Sequence, residues 1–197
     1  MKIFYKKLLY VFFCVSLPAG LNAQKIHTGG TAYSMFNNAE LVRESQFSSL
    51  PSYIKFRKSN QMDIDELRKW MTSNFRFDPA MDFKLIRKDV DNLGHVHYRY
   101  QQMFHGRPIQ DAIWIAHTKN DKVYSLNGLI YDKLTTPTSA GLSESAALTK
   151  ALDHVGAEVY KWELPGEEEH LKWETGDQSA TYLPHGELVF ISNEYTF

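Results

Sequence analysis

The most regular stretch of this 197-residue sequence is HVHYRYQQMFHGRPIQDAIWIAHTKNDKVYSLNG, residues 95–128. Apolar and polar side chains alternate along residues 95–104, a period of two that predicts a β-strand with one buried face. Turn signals follow at residues 105–108 and 120–121, and another apolar segment comes after each of them. Short strands at such regular intervals predict a curled antiparallel sheet. On residues 95–104 the expected buried face holds Val96, Tyr98, Tyr100 and Phe104, and the opposite face holds His95, His97, Arg99, Gln101 and Met103.

Helical patterns flank the predicted sheet. Residues 64–75 carry apolar side chains at helical spacing, and Asp63 with Glu66 predicts a capping box at the start of that helix. After a joint at residues 135–141, Ser143 is expected to cap a second helix. The sequence therefore predicts an α+β fold, with curled antiparallel sheets, helices packed on one face, and two small subdomains.

Patterns elsewhere are weaker. Residues 24–60 show no sustained period, so we expect an irregular leader with one extended segment at residues 49–56. Residues 83–87 predict a first strand ahead of the regular stretch. The last third is expected to contain an extended segment at residues 160–162, a solvated acidic loop at residues 166–169 and a strand at residues 186–191.

The first 23 residues have the layout of a secretory signal peptide. Three lysines flank the start of an apolar run at residues 8–17, and small residues lead up to Ala23. Cleavage between Ala23 and Gln24 would also remove the only cysteine, Cys14, so the exported chain could form no disulfide. A buried core helix or a membrane anchor is the alternative, but the run falls short of the ~20 residues that span a bilayer. We expect a secreted or periplasmic protein with no membrane association after signal removal.

Composition and motifs argue against several classes of function. A formal net charge of −1 excludes bulk attraction to nucleic acid as the main activity. The sequence has no Gly-x-Ser-x-Gly elbow, no phosphate-binding glycine loop and no His-Glu-x-x-His zinc helix. Among the eight histidines, His95 and His97 share a strand face and could reach a metal, although surface histidines are the interpretation that we favour. We therefore expect a non-catalytic, exported interaction module without catalytic, metal-binding or cofactor-binding residues.

Residues from Gly94 to about Gly141 resemble the fungalysin/thermolysin propeptide (FTP) domain. The matching segments are His97–Gln102, Gly106–Ile109, Ala116–His117, Val123–Gly128, and the ending Pro137, Leu142, Ser143 and Ala146. The stretch that follows resembles the beginning of a PepSY-type domain, and the preceding stretch resembles the leader of the same propeptides. After the signal peptide at residues 1–23, the resemblance implies a leader with one helix at residues 24–84, an FTP-like domain at residues 85–136 and a partial PepSY-like domain at residues 141–197.

In function, the resemblance implies the pro-region of a secreted thermolysin-like zinc metalloendopeptidase. Such a pro-region keeps the proenzyme inactive as a zymogen, acting as inhibitor and intramolecular chaperone of a catalytic domain that these 197 residues do not contain. That catalytic domain is the expected partner, and zinc is expected only there. Two alternatives stay open: a stand-alone secreted protease inhibitor or binding module of the same fold, and a metal-dependent hydrolase using His95 and His97.

The resemblance also suggests residues that contact the protease. These candidates are Arg99, Gln101, Arg107 and Trp114. In the alternative interpretation, Gln101 and Gln102 complete a sheet edge and Trp114 belongs to the core. Three further motif residues, Gly106, Pro108 and Gly128, are expected to shape turns.

Overall fold

The computed structural model of the protein describes residues 24–191. The predicted signal peptide, including Ala23 on one side of the expected cleavage site, lies outside this range. Gln24, on the other side, is the first described residue.

Strands of the described residues form an eight-stranded, open antiparallel sheet. The strands are β1 (Ile26–Thr28), β2 (Ala39–Glu44), β3 (Pro51–Phe56), β4 (Met62–Asp63), β5 (Met81–Val90), β6 (His95–Phe104), β7 (Arg107–Lys119) and β8 (Lys122–Gly128). The helices are α1 (Gly29–Met35), α2 (Leu67–Asn74), α3 (Glu144–Val155) and α4 (Glu167–Thr175), with 3-10 turns at Lys58–Asn60, Ile64–Glu66 and Lys161–Glu163. The strand order is β1-β2-β3-β8-β7-β6-β5, and β4 pairs with β8 beside β3. This arrangement confirms the α+β class.

Strands β5 to β8 form the meander that the alternating pattern predicted. Asn120 and Asp121 have positive φ angles of 51° and 59°, the conformation of a tight two-residue hairpin between β7 and β8. His105 and Gly106, with φ angles of 47° and 74°, make the corresponding turn between β6 and β7. Pro108 lies in β7 itself, so the turn is shorter than the expected residues 105–108.

The main core lies between the sheet and the helices α1 and α2. The predicted helical stripe is confirmed there, because Leu67, Met71 and Phe75 are buried against the sheet. The predicted capping box is wrong, since the Asp63 side chain makes no cap hydrogen bond. Asp63 instead accepts a hydrogen bond from Lys122 Nζ at 2.8 Å, a partner supplied by the β4–β8 pairing.

The leader is more regular than expected. In addition to the predicted segment, which is β3, it contains β1, β2 and the helix α1. Residues 24–84 therefore hold a second helix besides the one predicted. Val42 of β2 pairs with Ile54 of β3, and both side chains are fully buried. Because β3 also pairs with β8, the leader strands and the meander form one continuous sheet.

The predictions for the last third were right at the helix and wrong beyond it. Ser143 caps α3, and its hydroxyl accepts a hydrogen bond from the Ala146 amide at 3.2 Å. The expected extended segment at residues 160–162 is a 3-10 turn. The expected acidic loop forms the first turn of α4, where the positive end of the helix dipole stabilises its carboxylates. The expected last strand is reduced to a parallel bridge between Phe190 and Ile109. The predicted domain boundaries stay predictions.

Candidate functional site

The meander presents two different faces. Its core face carries Tyr98, Trp114, Ala116 and Leu126, which are buried beneath α1 and α2. The opposite face, called the open face below, carries side chains that pair across the strands and are mostly half-buried. From β5 to β8 these are Arg87, Asp89, His97, Arg99, Gln101, Ile113, Ile115, His117 and Asn127.

Arg99 is a partly accessible member of the predicted contact residues on the open face. Its guanidinium Nε lies 3.3 Å from Asp89 Oδ2, and 36% of its side chain is exposed. Asp89 also accepts a hydrogen bond from Arg87 Nε at 2.6 Å. The two guanidinium groups, Arg87 first, hold the pKa of Asp89 below its usual value. The arrangement leaves two cations around one carboxylate, so the patch offers positive charge to a partner.

Gln101 and Gln102 serve the fold. Gln101 Nε2 donates to the carbonyl oxygens of Ile109 and Ala112 at 2.7 and 3.2 Å, where a bulge interrupts the β6–β7 pairing. Gln102 is fully buried and exchanges two hydrogen bonds with the backbone of Tyr131. The alternative of a structural role therefore fits both residues, but β6 is an interior strand and not the sheet edge.

Arg107 and Trp114 lie in β7, where the side chain of Arg107 is hydrogen-bonded and that of Trp114 is buried. Arg107 donates a hydrogen bond to the carbonyl oxygen of Thr138, which fastens the segment after β8. Trp114 is fully buried at the centre of the core. Its position agrees with the core alternative and gives a partner no surface to contact.

Gly128 has a structural reason to be glycine. Its φ of 141° lies in a region that side chains rarely adopt, and a Cβ atom there would meet the Ile113 carbonyl oxygen at 1.9 Å. Gly106 has a φ of 74° in the β6–β7 turn, with open space around it. Both glycines therefore shape the backbone, whereas Pro108 lies in β7, where its carbonyl accepts a hydrogen bond from the Phe190 amide at 2.9 Å.

A connected group of polar side chains, the histidine network, lies at the β5–β6 turn end of the open face. Its members are Asp91, His95, His97, His117, Tyr124 and Asn127. His97 and His117 face each other across β6 and β7, and their Nδ1 atoms lie 2.7 Å apart. Asp91 Oδ2 lies 3.6 Å from His95 Nδ1 and 3.5 Å from His97 Nε2. Sequence reasoning noticed His95 and His97 but missed His117, because only strand pairing brings it to them.

The histidine network is a hydrogen-bonded group. His117 Nε2 is hydrogen-bonded to Asn127 Oδ1, and Tyr124 Oη lies 3.3 Å from His95 Nδ1. Within residues 24–191, no group of three or more histidine, cysteine, aspartate or glutamate side chains is placed to hold a metal ion. The same part of the chain has no helix with the length and apolarity that crossing a membrane requires.

Comparison with known proteins identifies relatives of the chain. Residues 82–129 match the Fungalysin/Thermolysin Propeptide Motif. Bacillolysin from Bacillus subtilis subsp. amylosacchariticus is 28% identical over 145 residues, which cover 72% of this chain and 26% of that protein. Bacillolysin from Bacillus amyloliquefaciens is 33% identical over 81 residues, covering 41% and 15%. Thermolysin from Alicyclobacillus acidocaldarius subsp. acidocaldarius is 36% identical over 88 residues, covering 43% and 16%.

The matched residues can be placed on the structure. The alignment with the first of these relatives covers about a quarter of its length. The matched residues 82–129 coincide with strands β5 to β8, which include the predicted contact residues and the histidine network. The β5–β8 meander therefore matches the fungalysin/thermolysin propeptide motif, and the chain is similar in sequence to part of bacillolysin and thermolysin.

Proposed function

We propose that the chain acts as the pro-region of a thermolysin-like zinc metalloendopeptidase, as inhibitor and intramolecular chaperone of the catalytic domain. The observation that carries this proposal is the coincidence of the propeptide motif with the β5–β8 meander. Zinc belongs to the catalytic partner in this proposal, and the chain itself performs no catalysis.

A preformed antiparallel sheet suits both roles. Domains rich in non-local contacts fold slowly, because chain entropy is lost before those contacts form. A partner that presents an already folded face can lower that barrier by aligning distant segments of the catalytic domain. The same face, if it stays bound, covers the cleft. A stable complex of this kind buries roughly 1,600 Å² in total.

The open face is the surface that we assign to the catalytic domain. Arg99 lies near its middle, opposite Ile115 of β7, and both side chains are partly accessible. Arginine residues flanked by apolar surface are frequent binding hot spots, because the guanidinium makes several hydrogen bonds at once. Arg107 contributes less in this proposal, because its guanidinium already binds the Thr138 carbonyl. Gln101 and Trp114 act through the fold that they support.

Export and domain organisation complete the proposal. Residues 1–23 direct the chain out of the cytoplasm and are removed between Ala23 and Gln24. Residues 141–197 belong to a PepSY-like domain in this proposal. Mass determination of the N-terminus of the chain recovered from an expressing host tests the cleavage, and recovery of an intact Met1 would contradict it.

Inhibition and refolding assays in trans test the function. The chain, as recovered from an expressing host, is added to active bacillolysin or thermolysin and to the same enzymes diluted from denaturant. We expect slower peptide hydrolysis in the first assay and a higher yield of active enzyme in the second. If a panel of thermolysin-like proteases shows neither effect, the proposal is refuted.

Matched variants locate the interface. Arg99→Gln removes the accessible guanidinium and should weaken inhibition about tenfold or more, the range of an interface hot spot. Lys150→Gln, an exposed change of the same charge on α3, should leave inhibition unchanged. Equal inhibition by the two variants would remove the open face from the proposal, provided that both unfold at the same denaturant concentration as the unmodified chain.

A further inference from the structure

Strand β5 is the longer of the two strands that end the sheet. Within residues 24–191, its ten residues pair with β6 on one side and with no strand on the other. The strand at the opposite end, β1, has three residues. Every second residue of β5 therefore directs its backbone amide and carbonyl groups away from the sheet, which is the arrangement that accepts a strand from another chain.

A bulge divides this edge into two parts. The pairing of β5 with β6 shifts register between Leu85 and Arg87, so Ile86 has no partner residue on β6. The regular part of the edge that precedes the bulge is residues 81–85. Because bulges and charged side chains limit the association of edge strands, β5 suits one short added strand and not open-ended stacking.

A groove follows the same part of β5. It has a volume of about 770 Å³ and lies between α2 and the core-side face of β5 and β6. Phe83, Leu85 and Tyr100 line it from the sheet, and Met71 and Phe75 line it from the helix side. Leu85 is 48% exposed, so apolar surface of the groove is accessible at the edge of the sheet. Ligand-binding clefts with mostly apolar linings have volumes of roughly 300–1,000 Å³.

The charges on β5 favour an acidic partner. Both carboxylates of the strand are already paired with arginines of this chain, Asp82 with Arg68 at 2.5 Å and Asp89 with two others. The lysine ion pairs in the part of the chain that the structure describes involve neither Lys84 nor Lys88. Lys84 lies on the open-face side of β5, and Lys88 lines the groove. Two cations are therefore left for the carboxylates of a ligand.

We propose that β5 binds an extended peptide segment of another protein as an added strand, through residues 81–85 and the adjacent groove. Side chains alternate between the two faces of a strand, so one set of peptide side chains lies over the groove and the other lies beside Lys84. The matching peptide alternates apolar residues, which enter the groove, with acidic residues, which pair with the lysine. Backbone hydrogen bonds supply affinity, and the side-chain contacts supply selectivity. This inference does not depend on the proposed protease partner.

Calorimetric titration of the full chain with a synthetic peptide tests the proposal. The probe is acetyl-TLEFEVT-amide, which as a strand carries its apolar side chains on one face and its glutamates on the other. We expect saturable binding of one peptide per chain and slower hydrogen exchange of the β5 amides in the complex. No saturation up to about 1 mM peptide, the weak end of the affinity scale, would overturn the proposal.

Backbone methylation separates strand addition from simple occupation of the groove. Two versions of the probe carry N-methyl groups on alternate residues, one set for each edge of the peptide strand. Only the methyl groups on the edge that meets β5 remove hydrogen bonds to it, so one version should bind about tenfold more weakly than the other. Equal affinities of the two versions would overturn strand addition, and this comparison needs no change in the protein.

Matched variants of β5 locate the site. Leu85→Glu removes apolar surface from the groove and repels the acidic peptide, so it should weaken binding about tenfold or more. Val90→Glu makes a similar change on the same strand, at a 67% exposed residue outside the groove, and should keep the affinity within about twofold. Equal affinities of the two variants would overturn the assignment of the site to the groove beside residues 81–85.

A second copy of this chain is the other occupant that the edge could take. Sedimentation velocity of the chain without peptide distinguishes the two cases. We expect a monomer, whose β5 is accessible to the peptide. A dimer that Leu85→Glu converts to a monomer would overturn the proposal in favour of self-association through β5.

Discussion

Gln102 on β6 connects the sheet to the segment after β8. Its Oε1 accepts a hydrogen bond from the Tyr131 amide at 2.9 Å, and its Nε2 donates to the Tyr131 carbonyl at 2.6 Å. The side chain is fully buried. Gln102→Met keeps the length of the side chain and removes both hydrogen bonds.

The expected loss of stability follows from these two contacts. The loss of a hydrogen bond made by a buried side chain costs about 1–3 kcal/mol, and Gln102→Met removes two such bonds, both to the Tyr131 backbone. The methionine thioether recovers part of this loss through apolar contact. We therefore expect Gln102→Met to lower the free energy of unfolding by about 2–4 kcal/mol.

Urea denaturation at pH 7, followed by tryptophan fluorescence, measures this difference in the free energy of unfolding. The comparison requires that the free energy of the two chains falls with urea concentration at the same slope. Gln110→Met is the matched control, because Gln110 is exposed on β7, and its effect should stay within about 0.5 kcal/mol. A loss below about 1 kcal/mol for Gln102→Met would refute the assignment of Gln102 as the connection between β6 and Tyr131.

Three further predictions concern the backbone, a misassigned cap and the acid limit of stability. Gly128→Ala should lower the free energy of unfolding, measured in urea, by more than about 3 kcal/mol, because its Cβ would overlap a carbonyl of β7. Gly106→Ala, which has open space around it, should lower it by only about 1–2 kcal/mol. Equal losses for the two variants would contradict this prediction. Asp63→Ala should cost less than about 1 kcal/mol, because it removes a half-exposed pair with Lys122 and no helix cap; a larger loss by the same assay would restore the capping role. Backbone amides, the first of them His95 N–H, hold the pKa of Asp91 below its usual value, so Asp91→Asn should flatten the loss of stability as the pH falls below about 4, and an unchanged acid limb in thermal unfolding would count against this.

The sequence by itself determined the meander and the buried face of the predicted helix α2. Alternation along β6 and turn residues such as Asn120 and Asp121 are local signals, since each depends on neighbours a few positions away. The cap at Ser143 is local in the same sense, because its partner amide lies three residues on. Features of this kind can be predicted because the interacting groups are close in sequence.

Tertiary structure alone decided where β1 and β2 lie in the sheet and which residues form most of the polar contacts. Strands β1 and β2 are short. The pairing of β1 with β2 and of β2 with β3 follows from burial of residues such as Val42 and not from a sustained period. Asp63, which was predicted to cap the next helix, is hydrogen-bonded to Lys122, 59 positions away. His117 joined His97, 20 positions away, and Gln102 joined Tyr131, 29 positions away. These side chains meet because strand pairing fixes which distant residues face each other, and a buried polar group then takes whichever partner that pairing supplies.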